Sequence, residues 1–330
     1  MSAQIAVIGA GSWGTALAIH LAAKHSVKLW SHNSAHVAEM RAVRLNERFL
    51  PEIPFPDSIT IHDDFEEAII NSDIILIATP STAFNEILQK LQKLSLSQLP
   101  PVVSATKGLD HATNGFLSDT FFQMFPHANF TILSGPSFAK EVAKLFPTAI
   151  AIAGNQEQDL AAVIPYFHHD NMRVYGNLDI KGVQLAGAYK NVIAIATGIS
   201  DGLGFGANAR AALITRGLAE MTRLGIALQG DPETFKGLAG LGDLVLTATD
   251  NQSRNRRFGL YLGQGLKTEE AFKEVGQVVE GANIVKNIYE LGETMGIDLP
   301  IAQQVYKILH KNVLPNTSLR QLLAREQKIE

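Results

Sequence analysis

Gln4–His25 reads QIAVIGAGSWGTALAIHLAAKH. A short run rich in β-branched residues meets Gly9-Ala10-Gly11-Ser12-Trp13-Gly14, and an apolar helical stretch follows. Strand, glycine turn and helix in that order make a unit that binds a dinucleotide. Gly9 is expected to allow the tight turn, Gly11 to let backbone approach a pyrophosphate, and Gly14 to let the helix pack on the strand. The amides that open the helix would then face the phosphates.

Working outward, the second strand, Val27–Trp30, ends in Ser31-His32-Asn33. An acid usually stands there to hold the ribose hydroxyls of NAD. His32 takes its place, so NADP is expected to be accepted alongside NAD, with the ratio left open. Pro51–Asp57 carries three prolines and reads as an extended loop. Alternation then resumes with strands at Asp73–Ala78, Pro101–Ala105, Phe130–Leu133, Thr148–Ala153 and Met172–Tyr175. Ligands bind beyond the carboxyl ends of such strands, which puts Lys107 of Thr106-Lys107-Gly108 beside a cofactor. Ser134-Gly135-Pro136-Ser137 superficially resembles a nucleophile turn. Ala139 replaces its last glycine, and no acid and histidine complete a triad, so hydrolysis is set aside. Ser137 is expected instead to cap the next helix. His168-His169-Asp170 has no partner at metal-ligand spacing and reads as surface histidines.

The strands then stop. Lys181–Gly204, KGVQLAGAYKNVIAIATGISDGLG, is a helix-length apolar segment interrupted by Lys190-Asn191. Ala186, Gly187, Lys190, Ala194 and Gly198 share one helix face, leaving a groove of small residues that another body could enter. The amine is either snorkelling to water or held for chemistry. Helical patterns continue at Asn208–Leu228, Thr268–Lys273, Glu280–Met295, Pro300–His310 and Ser318–Glu326. The fold class expected is therefore α/β, an N-terminal Rossmann-type dinucleotide-binding domain over residues 1–180 followed by an all-α substrate-binding and catalytic domain over 181–330. Within the latter, Ser253-Arg254-Asn255 before the apolar Phe258–Leu262 offers a hydroxyl, a guanidinium and an amide at a helix start, a receptor for phosphate. Asp243 follows Gly240-Leu241-Gly242, and Glu280 follows Gly276-Gln277-Val278-Val279.

Composition narrows the class. A net charge of −4 with dispersed cations argues against a nucleic-acid partner. No apolar run reaches the ~20 residues of a membrane helix, and no targeting segment is expected. The sequence contains no cysteine, which removes thiolate chemistry and suits a reducing cytosol.

GAGSWGTALA, SATKGL, LSGPSFAKEV, AGAYKNVIAIATGISDGLGFGANARAALITRGLAEM, GLAGLGDLVLTATDNQSRNRRFG and GQVVEG together resemble the bacterial NAD(P)-dependent glycerol-3-phosphate dehydrogenases across essentially the whole chain. The resemblance implies interconversion of dihydroxyacetone phosphate and sn-glycerol 3-phosphate for phospholipid precursors, by a cytoplasmic homodimer using NADP or NAD. It implies Lys190 as acid/base, with Lys107, Gly135, Ser137, Asp243, Ser253, Arg254 and Asn255 around the substrate. Against the nucleotide it implies Gly9, Gly11, Ser12, Trp13, Gly14, His32, Lys107, Ala139, Arg254, Val278 and Glu280. A lysine at the ordinary pKa of about 10.4 is a sluggish acid near neutrality. Burial and Lys107 would lower that value, and Asp243 would oppose the shift and hold the amine. Two rivals stand beside this reading: a β-hydroxyacid-type NADP reductase of another small substrate, and a regulator that senses NADP and catalyses nothing.

Overall fold

The computed structural model describes residues 2–94, 96–110 and 112–325. The last residue of the expected helix Ser318–Glu326 lies outside them. The chain divides into two compact units, Met1–Ile180 and Lys181–Glu330.

Among the described residues the first unit has ten strands: β1 Gln4–Ile8, β2 Ser26–Trp30, β3 Leu45–Asn46, β4 Leu50–Pro54, β5 Ile59–His62, β6 Ile74–Ile77, β7 Val102–Ser104, β8 Phe130–Ser134, β9 Thr148–Ala153 and β10 Met172–Asn177. Eight form one sheet in the order β10-β9-β8-β7-β6-β1-β2-β5. Every neighbouring pair is parallel except β8 with β9. Ile5–Ile8 of β1 and Ile74–Ile77 of β6 are wholly buried, as central parallel strands covered on both faces must be. The order of strands reverses at β1, with β2 on one side and β6 on the other, and the turn Gly9–Gly11 leaves from that point. Ligands of open α/β sheets settle at such a reversal.

Part of the proline-rich stretch expected to be loop is strand. β4 pairs antiparallel with β3 in a two-stranded ribbon, Leu45 opposite Pro54. Only edge positions tolerate proline, and a two-stranded ribbon is all edge. β5, which adds an outer strand beside β2, was missed although Ile59 and Ile61 are buried and Thr60 between them is exposed.

His169 corrects the surface-histidine expectation. It is 9% exposed, and its ring stacks on that of His20, centroids 3.9 Å apart. His20 Nε2 lies 3.1 Å from the Phe167 carbonyl, and His169 Nε2 lies 3.3 Å from that of His20, so the rings tie the Ser12–Leu21 helix to the turn before β10. His168 alone is exposed.

The second unit is helical: Ile180–Gly202, Ala207–Ala227, Pro232–Lys236, Asp243–Thr249, Arg254–Gly263, Thr268–Val275, Glu280–Met295, Pro300–Lys311 and Pro315–Leu323. A π-turn, Leu238–Gly242, leads into Asp243. The groove on the lysine helix is filled by a neighbour from the same unit. A Cβ on Gly198 would stand 2.1 Å from the Arg256 carbonyl oxygen, and one on Gly259 would stand 2.1 Å from that of Ile195. Ile180–Gly202 and Arg254–Gly263 therefore touch backbone to backbone, which only glycine permits.

Burial, then the neighbouring His169 charge, lowers the His20 pKa from 6.5 to about 4. A base depressed in the folded state contributes stability that is present above pH 6.5 and lost as pH falls toward 4, worth up to about 3 kcal/mol. Chemical denaturation across that window should show the wild type losing more stability on acidification than His20→Gln. Parallel loss in both proteins would contradict the assignment.

Candidate functional site

The three motif glycines of the first unit differ in what forces them to be glycine. Gly9 has φ of +120°, outside the range open to side chains. A Cβ on Gly14 would stand 1.9 Å from the Gly9 carbonyl oxygen. Gly11 is extended, and a Cβ there would meet nothing within 4 Å. Folding explains Gly9 and Gly14 but not Gly11. A ligand pressed against the backbone does explain it, and no side chain caps the helix that begins at Ser12. The cradle thus fits a pyrophosphate.

Around it, Ser12 Oγ donates to the Phe49 carbonyl at 2.7 Å, which braces the segment leading into β4. Trp13 packs against the core of the unit, and its Nε1 is enclosed without a hydrogen-bond partner. His32 is exposed just beyond β2. Asn33 caps the Ser34–Val43 helix by accepting from the His36 amide at 3.0 Å. Neither Ser31, His32 nor Asn33 brings a negative charge to the end of β2.

Lys107, half-buried, follows β7, and Gly135 follows β8 with φ of +132°. Ser137 does not cap the next helix. Its hydroxyl donates to the Gly135 carbonyl at 2.9 Å, and Phe138 occupies the cap position of Ala139–Ala143 with no side-chain bond. A serine one residue too early for the cap closes its own turn instead.

In the second unit Lys190 is 6% exposed and Asp243 1%. Lys190 Nζ donates to Asp243 Oδ1 at 2.5 Å and to Thr247 Oγ1 at 2.8 Å. Thr247 Oγ1 in turn lies 3.2 Å from Asp243 Oδ1. Asp243 and Thr247 stand one turn apart on a seven-residue helix, so one short element presents a carboxylate and a hydroxyl to the same amine. Thr247 escaped sequence reasoning, although its i+4 spacing from Asp243 was the available signal.

Tyr189, beside the lysine in sequence, is wholly buried and donates to Glu220 Oε2 at 2.9 Å. Glu220 also accepts from the amides of Ile301 and Ala302, and burial pushes its carboxyl up to about 7. These two residues anchor the lysine helix to Ala207–Ala227 and to the start of Pro300–Lys311. They too were not singled out from sequence.

Ser253 is the cap of Arg254–Gly263, its oxygen accepting from the Arg256 amide at 3.2 Å. Arg254 is half-buried, and its side chain makes no hydrogen bond or ion pair to any described residue. The two other arginine neighbours do not share one solvated face. Arg256 is 6% exposed, pairs with Asp201 and the Asn251 side chain, and donates from Nε to the Ala248 carbonyl at 3.1 Å. It staples the loop that carries Ser253. Asn255 donates to Asn191 Oδ1 at 2.8 Å and accepts from the Gly281 amide at 3.0 Å. Much of its amide is therefore spent on joining the lysine helix to the start of Glu280–Met295. Val278 is 60% exposed in the preceding loop, and Glu280 opens the helix. Among the described residues no cluster of three metal-ligating side chains occurs.

Residues 4–160 match the family described as NAD-dependent glycerol-3-phosphate dehydrogenase N-terminus, and residues 179–320 match the corresponding C-terminus. The chain belongs to the NAD-dependent glycerol-3-phosphate dehydrogenase family. It is 50% identical to the glycerol-3-phosphate dehydrogenase [NAD(P)+] of Pseudoalteromonas translucida, covering 100% of this chain and 99% of that one. It is 51% identical to that of Glaesserella parasuis, covering 100% and 98%. Among solved structures, the glycerol-3-phosphate dehydrogenase of Coxiella burnetii superimposes with a TM-score of 0.94 at 45% identity, covering 98% of this chain and 99% of that one. Family membership accounts for the order of the two units and for a dinucleotide cradle that opens the chain.

The glycines give a direct test of that cradle. Gly11→Ala should leave the melting temperature within about 2 °C of wild type, since the methyl enters open space, and weaken NADPH binding about tenfold or more. Gly14→Ala should instead destabilise the fold. A Gly11→Ala protein that binds NADPH normally would remove the ligand explanation for that residue.

Proposed function

We infer that the protein reduces dihydroxyacetone phosphate to sn-glycerol 3-phosphate and catalyses the reverse oxidation, with NAD or NADP as cofactor and Lys190 as general acid/base. The observation that carries the catalytic assignment is the buried amine held between Asp243 and Thr247. Relatives of about half-identical sequence bear the name of this activity, so neither a reductase of an unphosphorylated acid nor a non-catalytic sensor is favoured.

The nicotinamide, when bound, supplies or receives the hydride at the substrate's central carbon. Gly9, Gly11 and Gly14 with Ser12 and Trp13 hold the dinucleotide, and His32 tolerates a 2′-phosphate where an acid would repel it. Lys107, Ala139, Val278, Glu280 and Arg254 are assigned to the nucleotide as well, and Gly135 and Ser137 with Lys107 to the substrate. In reduction the Lys190 ammonium donates its proton to the carbonyl oxygen as negative charge gathers there. In oxidation the neutral amine takes the hydroxyl proton. Such a group contributes on the order of 10² to 10⁴ in rate. Asp243 and Thr247 fix Nζ in place, which keeps that proton aimed without reorganisation. Arg254 grips the phosphate with its planar fork, helped by the Ser253 hydroxyl and the amides at the helix start. Asn255 contributes chiefly by holding this corner together.

A cysteine-free sequence suits a cytoplasmic protein, and a homodimer is the assembly we assign. No described helix is long and apolar enough to cross a membrane.

Lys190→Ala should lower kcat by about 10³ while NADPH affinity, read by fluorescence titration, changes little. A variant keeping a tenth of the wild-type rate would end the role. Arg254→Lys preserves charge but loses the paired geometry, so KM for dihydroxyacetone phosphate should rise about tenfold. An unchanged KM would refute the phosphate assignment.

A further inference from the structure

Tyr189 and Lys190 are neighbours on the helix Ile180–Gly202, and their side chains leave it about 100° apart. Lys190 turns to Asp243 and Thr247, and Tyr189 turns to Glu220 of Ala207–Ala227. These two helices close on each other one turn along, where a Cβ on Gly217 would stand 2.7 Å from Ile193 Cδ1. Tyr189 is 0% exposed and Glu220 3%, so the bond between them is shielded from water.

Three donors converge on the Glu220 carboxylate. The Ile301 amide donates to Oε1 at 2.7 Å, the Ala302 amide to Oε2 at 3.3 Å, and the Tyr189 hydroxyl to Oε2 at 2.9 Å. The two amides open the helix Pro300–Lys311, whose cap position is held by Leu299 with no side-chain bond. Glu220 therefore caps that helix from another one. Capping requires only the amides and leaves the tyrosine unexplained. The bond from Tyr189 ties the turn that carries Lys190 to a carboxylate that the start of Pro300–Lys311 already holds still.

We propose that Glu220 is a positioning residue for Lys190, acting through Tyr189: the carboxylate fixes the tyrosine, the tyrosine fixes its turn of helix, and Nζ is thereby held where its proton meets the substrate oxygen. The inference rests on the acid/base role assigned to Lys190 above. Charge state decides whether the strut holds. Both oxygens of the ionised carboxylate already face donors, so an added proton confronts one of them. A backbone amide cannot turn away, but a hydroxyl can. The titratable groups that act on Glu220 are Tyr189 from the lysine helix and Arg223 from its own. Arg216, Asp298 and Arg325 line the cavity beside it. Burial outweighs the hydrogen bonds and pushes its carboxyl up to about 7. The strut is intact above that pH and is lost as pH falls below it.

Tyr189→Phe isolates the strut, because Glu220 keeps both amides and the ring keeps its packing. Its melting temperature should fall by no more than about 4 °C. Single-turnover oxidation of NADPH by saturating dihydroxyacetone phosphate should slow about tenfold in this variant, with the half-saturating substrate concentration within about twofold of wild type. In the wild type the same rate should drop about fivefold between about pH 8 and about pH 6, as Glu220 takes up its proton. That acid limb should be missing from Tyr189→Phe and from Glu220→Gln, whose side chain is neutral at every pH. Should Glu220→Gln fail to fold, Tyr189→Phe alone decides, since a purely structural role would not move the pH profile. A wild type that reduces dihydroxyacetone phosphate while Tyr189→Phe keeps its rate within about twofold, or keeps the same acid limb, overturns this inference alone. A wild type that leaves dihydroxyacetone phosphate unreduced with either nicotinamide would overturn the dehydrogenase reading and this inference with it.

Discussion

A lysine ammonium and an aspartate carboxylate, both withdrawn from water, form the contact on which the rest of the helical unit depends. Taking one of the pair away strands a charge in an apolar interior, at a cost of about 3–5 kcal/mol. The surroundings are arranged to make the pair tolerable. Thr247 adds a hydroxyl to both partners, the π-turn at Leu238–Gly242 delivers Asp243 at the start of its helix, and Tyr189 with Glu220 locks the neighbouring turn of the lysine helix. The glycine seam at Gly198 and Gly259 then brings the Ser253 corner against the same helix at the closest spacing a polypeptide allows. The acid/base and phosphate-binding groups we propose thereby stand on two helices whose backbones touch.

The dinucleotide unit follows a different logic. Its sheet buries β1 and β6 on both faces, and the Gly9–Gly11 turn leaves β1 where the strand order reverses. Two of the three motif glycines satisfy the fold itself, and the third satisfies nothing inside the chain. Gly11 is thus the one motif glycine that packing does not demand.

Legibility in the sequence tracked how local each signal is. The strand, turn and helix at Gln4–His25 were readable because hydrophobic period and glycine spacing lie within two dozen residues. Glu280–Met295 fell out with its observed ends for the same reason. The β3–β4 ribbon was hidden by prolines that an edge accepts, and β5 by its brevity. Ser137 sat one residue from a cap position, a difference that composition cannot resolve. The small-residue face of the lysine helix was visible, but its occupant, fifty-odd residues onward, was not. Arg256 and Arg254 look alike in sequence, yet one is stapled into the interior and the other is left without a partner among the described residues. Burial of a guanidinium depends on where Asp201 and Asn251 arrive, and only the fold decides that.

The central claim is that Lys190 and Asp243 are a mutually dependent buried pair and not two independent polar residues. A thermodynamic cycle on folding free energy, using Lys190→Met, Asp243→Leu and the double variant, measures this dependence directly. Each single replacement should cost about 3 kcal/mol or more, and the double variant should be more stable than either single one. Additive losses in the double variant, or single losses below about 1 kcal/mol, would contradict the account.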